Sequence, residues 1–372
     1  MSDSGPRPRP GPLRILHAPT DVGGNPTGLS RAERALGAAS DVAVTQRSPM
    51  AYDVDFDLDL ASRGKARRLL ARMSFAARHA ARYDVFHFNF GQTLLPRLGA
   101  TGVDLPVLRA LGKRLFMTFQ GCDARRTGYC RAHCAISCCG NDAGDGLCRL
   151  EQDADKTRAV RYAARHCHRL FCLNPDLLHT VPAAEFVPYA SVDLAAIGPV
   201  AARRGGPLRI VHAPTSRLVK GTEHVLRAFD ALPADAGAEL VLVENVPHAR
   251  ALERYRDADV VVDQLKVGWY GAFAVEMMAM GKPVVCYVRE ADLALVPRAM
   301  ARELPIVRAD PDNVAEVLRG LVAAPEKLAE IGRRSRAYVE RWHDPLRIAR
   351  RMLAVYADST RAFWEEAEPT SA

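Results

Sequence analysis

An α/β fold of two Rossmann-like domains with parallel sheets facing one central cleft is what this sequence predicts, on three observations. The heptapeptide Arg-Ile-(Leu/Val)-His-Ala-Pro-Thr occurs at 14–20 and again at 209–215, near the start of each half. Each copy has an apolar strand core, a Pro-containing break, then glycine and a helical pattern, which is how α/β domains present a helix N-terminus to phosphate. Strand and helix patterns alternate through both halves. A chain of 372 residues is also long for one hydrophobic core.

In order along the chain, 14–18 reads as a strand and 28–36 as a helix. A short strand at 41–45 precedes a long helix at 64–82. Segment 84–90, Asp-Val-Phe-His-Phe-Asn-Phe, alternates as a half-buried strand does. A strand at 114–119, a helix at 151–165 and a strand at 170–173 complete the first half. Pro199 and the Gly205-Gly206 pair mark 191–206 as the linker. Beyond it come strands at 208–212, 239–244, 260–263 and 283–288. Helices at 222–231, 248–257 and 272–280 alternate with them, followed by helices at 312–321 and 325–341 and a long closing helix at 345–366. The domain reading is a Pro-rich disordered tail at 1–12, a first domain at 13–195, a second at 207–344, and a helix at 345–368 that crosses back.

No apolar run approaches the ~18 residues of a membrane-spanning helix. The first residues lack the apolar core of a signal peptide, so the expected location is the cytoplasm. Net charge is +8. Lys65, Arg67, Arg68, Arg72, Arg78 and Arg82 share a helical stretch with Leu69, Leu70, Met73 and Phe75. Such a helix docks on anionic lipid at the inner membrane face or is simply a solvated face of an Arg-rich protein, and the second reading is preferred. Nucleic acid is not an expected partner: aromatics are 7% and no basic-aromatic module is present.

The most specific segment is Gly268-Trp-Tyr-Gly-Ala-Phe-Ala-Val-Glu-Met-Met-Ala-Met-Gly-Lys-Pro-Val-Val285. Glycine at 271 permits close backbone approach where a helix begins. The free N–H groups of Gly271, Ala272 and Phe273, with the positive helix end, suit a diphosphate. Lys220 supplies a cation for the same phosphates and Arg217 a second one. Glu276 has two oxygens to accept from both hydroxyls of a ribose. This segment, with Lys220-Gly221 and Val225-Leu226-x-Ala228-Phe229 upstream, resembles the signature of family 4 glycosyltransferases, which have the GT-B fold. The resemblance is good over 208–356 and looser before it. It implies a nucleotide-diphosphate sugar donor, a UDP- or GDP-sugar foremost, transfer with retention, and no catalytic metal. It also implies ribose binding by Glu276. One departure stands out. The family's motif pairs two glutamates eight positions apart, and the earlier position here is Gly268.

In the first half, Gly23-Gly24 resembles the family's first glycine-rich loop, which approaches donor phosphate and acceptor. Phe119-Gln120-Gly121-Cys122-Asp123 stands where the family often has Thr-x-His-Gly-x-Asp. Gln120 replaces the imidazole but can still hydrogen-bond a sugar hydroxyl, and Asp123 can orient an acceptor. His87 is a further candidate for proton handling or, equally, a satisfied core histidine.

Six of the nine cysteines lie at 122–148, an insertion that nothing in the resembled fold requires. Cys130, Cys134 and Cys138, at four-residue spacing, are expected to share a helical face, with Cys148 returning from the loop 140–146. Four thiolates, or three plus His133, would suit a structural zinc; free thiols, a disulfide or an iron–sulfur cluster are the alternatives. The expected function is therefore sugar transfer from a nucleotide-diphosphate donor to an acceptor that the sequence does not identify, whether glycan, glycolipid or small metabolite. A sugar-nucleotide 2-epimerase of the same fold and a non-catalytic nucleotide-sugar or metal-binding relative are the alternatives.

Overall fold

The computed structural model describes residues 11–48, 50–95, 102–139, 148–200 and 205–365. The expected tail lies almost wholly outside them, as do the loop 140–146 and residues 366–368. The first half runs β1 (Arg14–Ala18), α1 (Asn25–Ala35), β2 (Ala39–Val44), β3 (Phe56–Asp57), α2 (Lys65–Ala80), β4 (Val85–Asn89), α3 (Asp104–Ala110), β5 (Arg114–Phe119), α4 (Thr127–His133), α5 (Asp153–His166), β6 (Arg169–Cys172) and β7 (Ala184–Phe186). The second runs β8 (Leu208–His212), α6 (Arg217–Lys220), α7 (Thr222–Asp230), β9 (Ala238–Leu242), α8 (His248–Arg256), β10 (Val260–Val262), α9 (Ala272–Ala279), β11 (Val284–Cys286), α10 (Arg298–Glu303), β12 (Val307–Arg308), α11 (Val314–Ala323), α12 (Leu328–Trp342) and α13 (Pro345–Ala357).

Two parallel sheets result. The first has the order β3-β2-β1-β4-β5-β6-β7 and the second β12-β11-β10-β8-β9. In each, the chain winds outward in both directions from one strand, leaving a crevice beyond the carboxyl ends of the strands that flank the reversal. Those pairs are β1/β4 and β8/β10. The repeated heptapeptide supplies β1 and β8, so both copies end at a crevice. It also repeats a clamp. The Arg14 backbone N–H reaches the Asp84 carboxylate at 3.2 Å, and the Arg209 N–H reaches that of Asp259 at 2.8 Å. Each aspartate lies just before the strand across the reversal.

Local chemistry sets several boundaries. Pro26 opens α1, where a missing N–H costs nothing. The Ser216 hydroxyl caps α6, and Gly221, in a left-handed conformation (φ 76°), separates α6 from α7. Asp344 caps α13 through the Leu346 N–H at 2.9 Å, with Pro345 as its first residue. The closing helix was expected to reach 366 but stops at Ala357. The Asp358 carboxylate accepts the Thr360 N–H at 2.9 Å and turns the chain, so that Phe363 tucks into the core and Trp364 donates to the Phe186 carbonyl at 2.7 Å. The apolar residues beyond 357 belong to this hook. Helix α4 also ends early. Cys134 is extended (φ −122°, ψ 114°), so Cys130, Cys134 and Cys138 do not share a helical face.

Helix α13 packs on the first half. Its Ile348, Ala349, Met352, Val355 and Tyr356 pack with Ile15, Leu29, Val85, Phe116 and Phe171, each large side chain contributing about 1.5–3 kcal/mol. Helix α2 lies on the surface with Leu69, Leu70 and Met73 exposed and Phe75 buried. No helix among the described residues is long and apolar enough to cross a membrane.

His87 belongs to this core and not to the cleft. It is 1% exposed. Its Nδ1 meets the Tyr356 hydroxyl at 2.5 Å and its Nε2 the Thr118 hydroxyl at 2.6 Å. Burial holds it neutral, well below the usual histidine range. Burial likewise lowers His212 and His343, each to about 4. All three take up protons more readily unfolded than folded, so stability is full above about pH 6.5 and falls as the pH drops through that value. Denaturant unfolding at pH 7 and pH 5 should differ by about 2 kcal/mol for each of His212 and His343, with His87 acting in the same direction. His248, whose pKa is raised, and Asp123, whose carboxyl burial pushes up to about 6, offset part of this. Equal stabilities at the two pH values would contradict the buried, neutral assignment.

Candidate active site

The candidate residues of the second half gather at the carboxyl edge of β8 and β10. Asp263 follows β10 directly and is fully buried. Its Oδ1 takes the Lys220 ammonium at 2.7 Å, and its Oδ2 takes the Gly271 N–H at 2.7 Å. The Gln264 side-chain oxygen takes Lys220 as well, also at 2.7 Å. A methyl group added at Gly271 would stand 3.4 Å from the Lys220 nitrogen. Lys220 is therefore fixed over the start of α9. Two of its three protons are used, and one remains for a ligand. The Gly271 N–H is occupied by Asp263, so a diphosphate would rely on the N–H groups of Ala272 and Phe273.

Glu276 lies deeper on α9 and is 5% exposed. Its Oε1 meets His248 Nε2 at 2.6 Å. Burial opposes the charged form of His248, but the Glu276 hydrogen bond and charge outweigh it and raise the pKa. Tyr52 lies over His248, with ring centroids 5.0 Å apart. Burial and the Glu276 carboxylate push the Tyr52 phenol far above its usual range. Arg217 does not join Lys220. Its guanidinium grips Glu244 through two nitrogens at 2.8 and 2.6 Å and is half exposed.

The first half closes onto this edge. Gly23 and Gly24 are both left-handed (φ 63° and 66°). A methyl at Gly23 would stand 3.3 Å from the Ala272 methyl, and one at Gly24 would lie 2.8 Å from the Tyr52 ring. The predicted glycine loop and the start of α9 thus face each other across the cleft. Gln120 is buried after β5. Its carbonyl accepts from Asn174 at 2.5 Å, and its side-chain nitrogen has no hydrogen-bond partner among the described residues. The Asp123 carboxylate is spent on the backbone, accepting the Gly121 N–H at 2.6 Å and the Gln120 N–H at 3.1 Å. Burial nevertheless pushes its pKa up to about 6. Asp123 shapes the loop that carries Gln120.

Gly268 adopts φ 92°, and a methyl there would lie 2.9 Å from the Arg289 guanidinium carbon. That guanidinium pairs with Asp292 at 2.8 Å and donates to the Ile136 carbonyl at 3.3 Å. A cation therefore covers the position where the resembled motif has a carboxylate. The four-cysteine zinc set is not assembled. Among the described residues no group of three or more His, Cys, Asp or Glu side chains is placed to hold a metal ion. The early end of α4 is the cause. Sequence reasoning missed Asp263, Gln264, His248, Tyr52 and Arg289. Asp263 and Gln264 carried a signal, standing at the carboxyl end of a strand beside the crevice.

The architecture is that of GT-B glycosyltransferases. Sucrose-phosphate synthase from Thermosynechococcus elongatus aligns over 94% of this chain and 99% of its own, with TM-score 0.64 and 17% identity. The Anabaena protein HepE, solved in complex with UDP-glucose, aligns over 93% and 99%, with TM-score 0.60 and 11% identity. A glycosyltransferase from Rickettsia africae aligns over 96% and 100%, with TM-score 0.59 and 10% identity. In sequence, the chain is similar to D-inositol 3-phosphate glycosyltransferase 1 of Catenulispora acidiphila, 33% identical over 159 residues. That match covers 42% of this chain and 34% of the relative, so it spans about a third of the relative's length. No protein-family model matches the chain.

Restoring a carboxylate at 268 should be harmful. Gly268→Glu forces a side chain into a left-handed backbone and against Arg289, at a cost of about 1–3 kcal/mol. Denaturant titration of the variant would measure it; a variant as stable as the parent would contradict the close packing of Arg289.

Proposed function

We propose that this chain transfers a sugar from a nucleotide-diphosphate donor to an acceptor, with retention as the family resemblance implies. The observation that carries the proposal is the Lys220 ammonium held over the start of α9, with Glu276 deeper on the same helix. The diphosphate would lie between the remaining Lys220 proton and the N–H groups of Ala272 and Phe273. Negative charge growing on the leaving diphosphate would then meet a cation and a helix N-terminus already in place. Glu276 would exchange His248 for the ribose hydroxyls, each charge-assisted bond being worth about 1.5–3 kcal/mol. Donor entry requires the Gly23–Ala272 contact and Tyr52 to part. Reclosure would exclude water and bring an acceptor near Gln120, whose free side-chain nitrogen suits a sugar hydroxyl. UDP-glucose bound by HepE and UDP bound by a solved α-glucosyltransferase of the same architecture support the donor class. The name of the Catenulispora relative supports a phosphorylated cyclitol as one acceptor to test.

Arg289 over Gly268 favours a second reading, a nucleotide-sugar binder without turnover, because a cation stands where the resembled enzymes place a carboxylate. Calorimetric titration with UDP, GDP, ADP and dTDP should give selective binding of one nucleotide. Lys220→Ala and Glu276→Ala should each weaken it by about ten-fold or more. Sugar release from the matching donor then separates transferase from binder. Unchanged affinity in both variants would sink the site assignment.

A further inference from the structure

Six cysteines converge beside this site. Cys130, Cys138, Cys139 and Cys148 form a buried cluster with Val267, and Cys122, Cys134 and Val219 pack against it. All six are free thiols. Cys139 touches Cys130, Cys138 and Cys148, while Cys122 and Cys148 bring their sulfurs to 3.6 Å, van der Waals contact. Cys148 is 6% exposed and Cys122 is partly open to solvent. Cations surround them: an Arg125 nitrogen is 3.8 Å from the Cys138 sulfur, and Lys156 faces Cys148. The cluster also backs onto the nucleotide loops, since Val219 adjoins Lys220 and Val267 adjoins Gly268.

We propose that Cys122 and Cys148 form a reversible thiol–disulfide pair that sets the placement of the Lys220 and Gly268 loops. The consequence for catalysis rests on the proposed donor site; the pair itself does not. The oxidant is a low-molecular-weight disulfide. One cysteine thiolate attacks it, forming a mixed disulfide and expelling one small thiolate. The second cysteine, as thiolate, attacks the protein sulfur of that mixed disulfide and expels the other. The two cysteines lose two protons and two electrons, and the small disulfide leaves as two thiols. Bonded sulfurs sit about 2.05 Å apart, so residue 122 or 148 must move by about 1.5 Å. Cys122 lies between Gly121 and Asp123, whose hydrogen bond shapes the Gln120 loop. Cytosolic disulfides are characteristically transient and redox-sensing.

The test is incubation of the full-length protein with oxidised glutathione, followed by peptide mapping, hydrogen exchange and nucleotide titration. Expected are a Cys122–Cys148 cross-linked peptide, altered exchange at 216–222 and 265–271, and nucleotide affinity changed by about ten-fold, all reversed by dithiothreitol. Cys122→Ser and Cys148→Ser should each abolish the response, and Cys134→Ser should keep it. The proposal is overturned by absence of that cross-link, by a cross-link that leaves exchange at both loops unchanged, or by a stoichiometric metal that protects the thiols in the purified protein. If the reduced protein binds no nucleotide, the donor-site reading fails, while the cross-link and the exchange data still decide this one.

Discussion

The Asp263 carboxylate is the interaction on which the site depends. It is buried at the end of β10, and each of its oxygens holds one element. One fixes the ammonium that ends α6, and the other satisfies the first orphan N–H before α9. An unpaired carboxylate there would be costly, and so would an unpaired lysine. Together they place a cation and a helix N-terminus side by side without a ligand present. The pair is close to neutral, so Lys220 alone gives the site little net charge. Attraction for an anion then rests on the third lysine proton, the free N–H groups at 272–273 and the helix dipole. Under the proposed function they would meet a diphosphate, which accepts several short hydrogen bonds at once.

The repeated heptapeptide explains why the two halves present comparable edges. Its arginine ties each central strand to an aspartate preceding the neighbour across the reversal. Its last residues lead into the turn beyond the strand. The two histidines have diverged in partners. His17 meets Glu33 at 2.8 Å, whereas His212 meets Thr222 and the Val262 carbonyl. What the repeat conveys is the registration of a strand beside the reversal of each sheet; the loops that follow differ.

That division accounts for what was legible in the sequence. Strands β1, β5 and β8 have the bounds their apolar runs predict, and Lys220 meets Gly271 because the segments that follow two paired strands, β8 and β10, converge at their carboxyl edge. Glu276 is buried on α9 as the motif implies, but its partner His248 sits on another helix and no local pattern announces it. Arg217 was misplaced because its nearest anion, Glu244, comes from the end of β9, far along the chain. Cys130, Cys134 and Cys138 have helical spacing in a segment that stops being helical at Cys134. Local spacing predicts local faces; it does not foresee a chain that turns away after seven residues. The Arg289 guanidinium over Gly268 is of the same kind. The missing carboxylate was visible in the sequence, and the cation that replaces it was not.

His87 shows how the cleft edge and the core are kept apart. A histidine in the middle of β4 faces a helix that begins beyond residue 344, and α13 delivers the Tyr356 hydroxyl that satisfies its Nδ1. That hydroxyl also lies near Glu33, which itself holds His17 and Ser40. A buried polar network thus runs from α1 through β1 and β4 to α13. Breaking it would strand groups that have no water to turn to. The last helix is therefore bound to the first half by polar geometry as well as by apolar area. At the junction between α12 and α13, His343 is held by the Tyr189 carbonyl at 3.0 Å and the Tyr270 hydroxyl at 2.9 Å. Tyr270 directly precedes Gly271. One hydrogen bond and one peptide unit therefore join that junction to the start of α9.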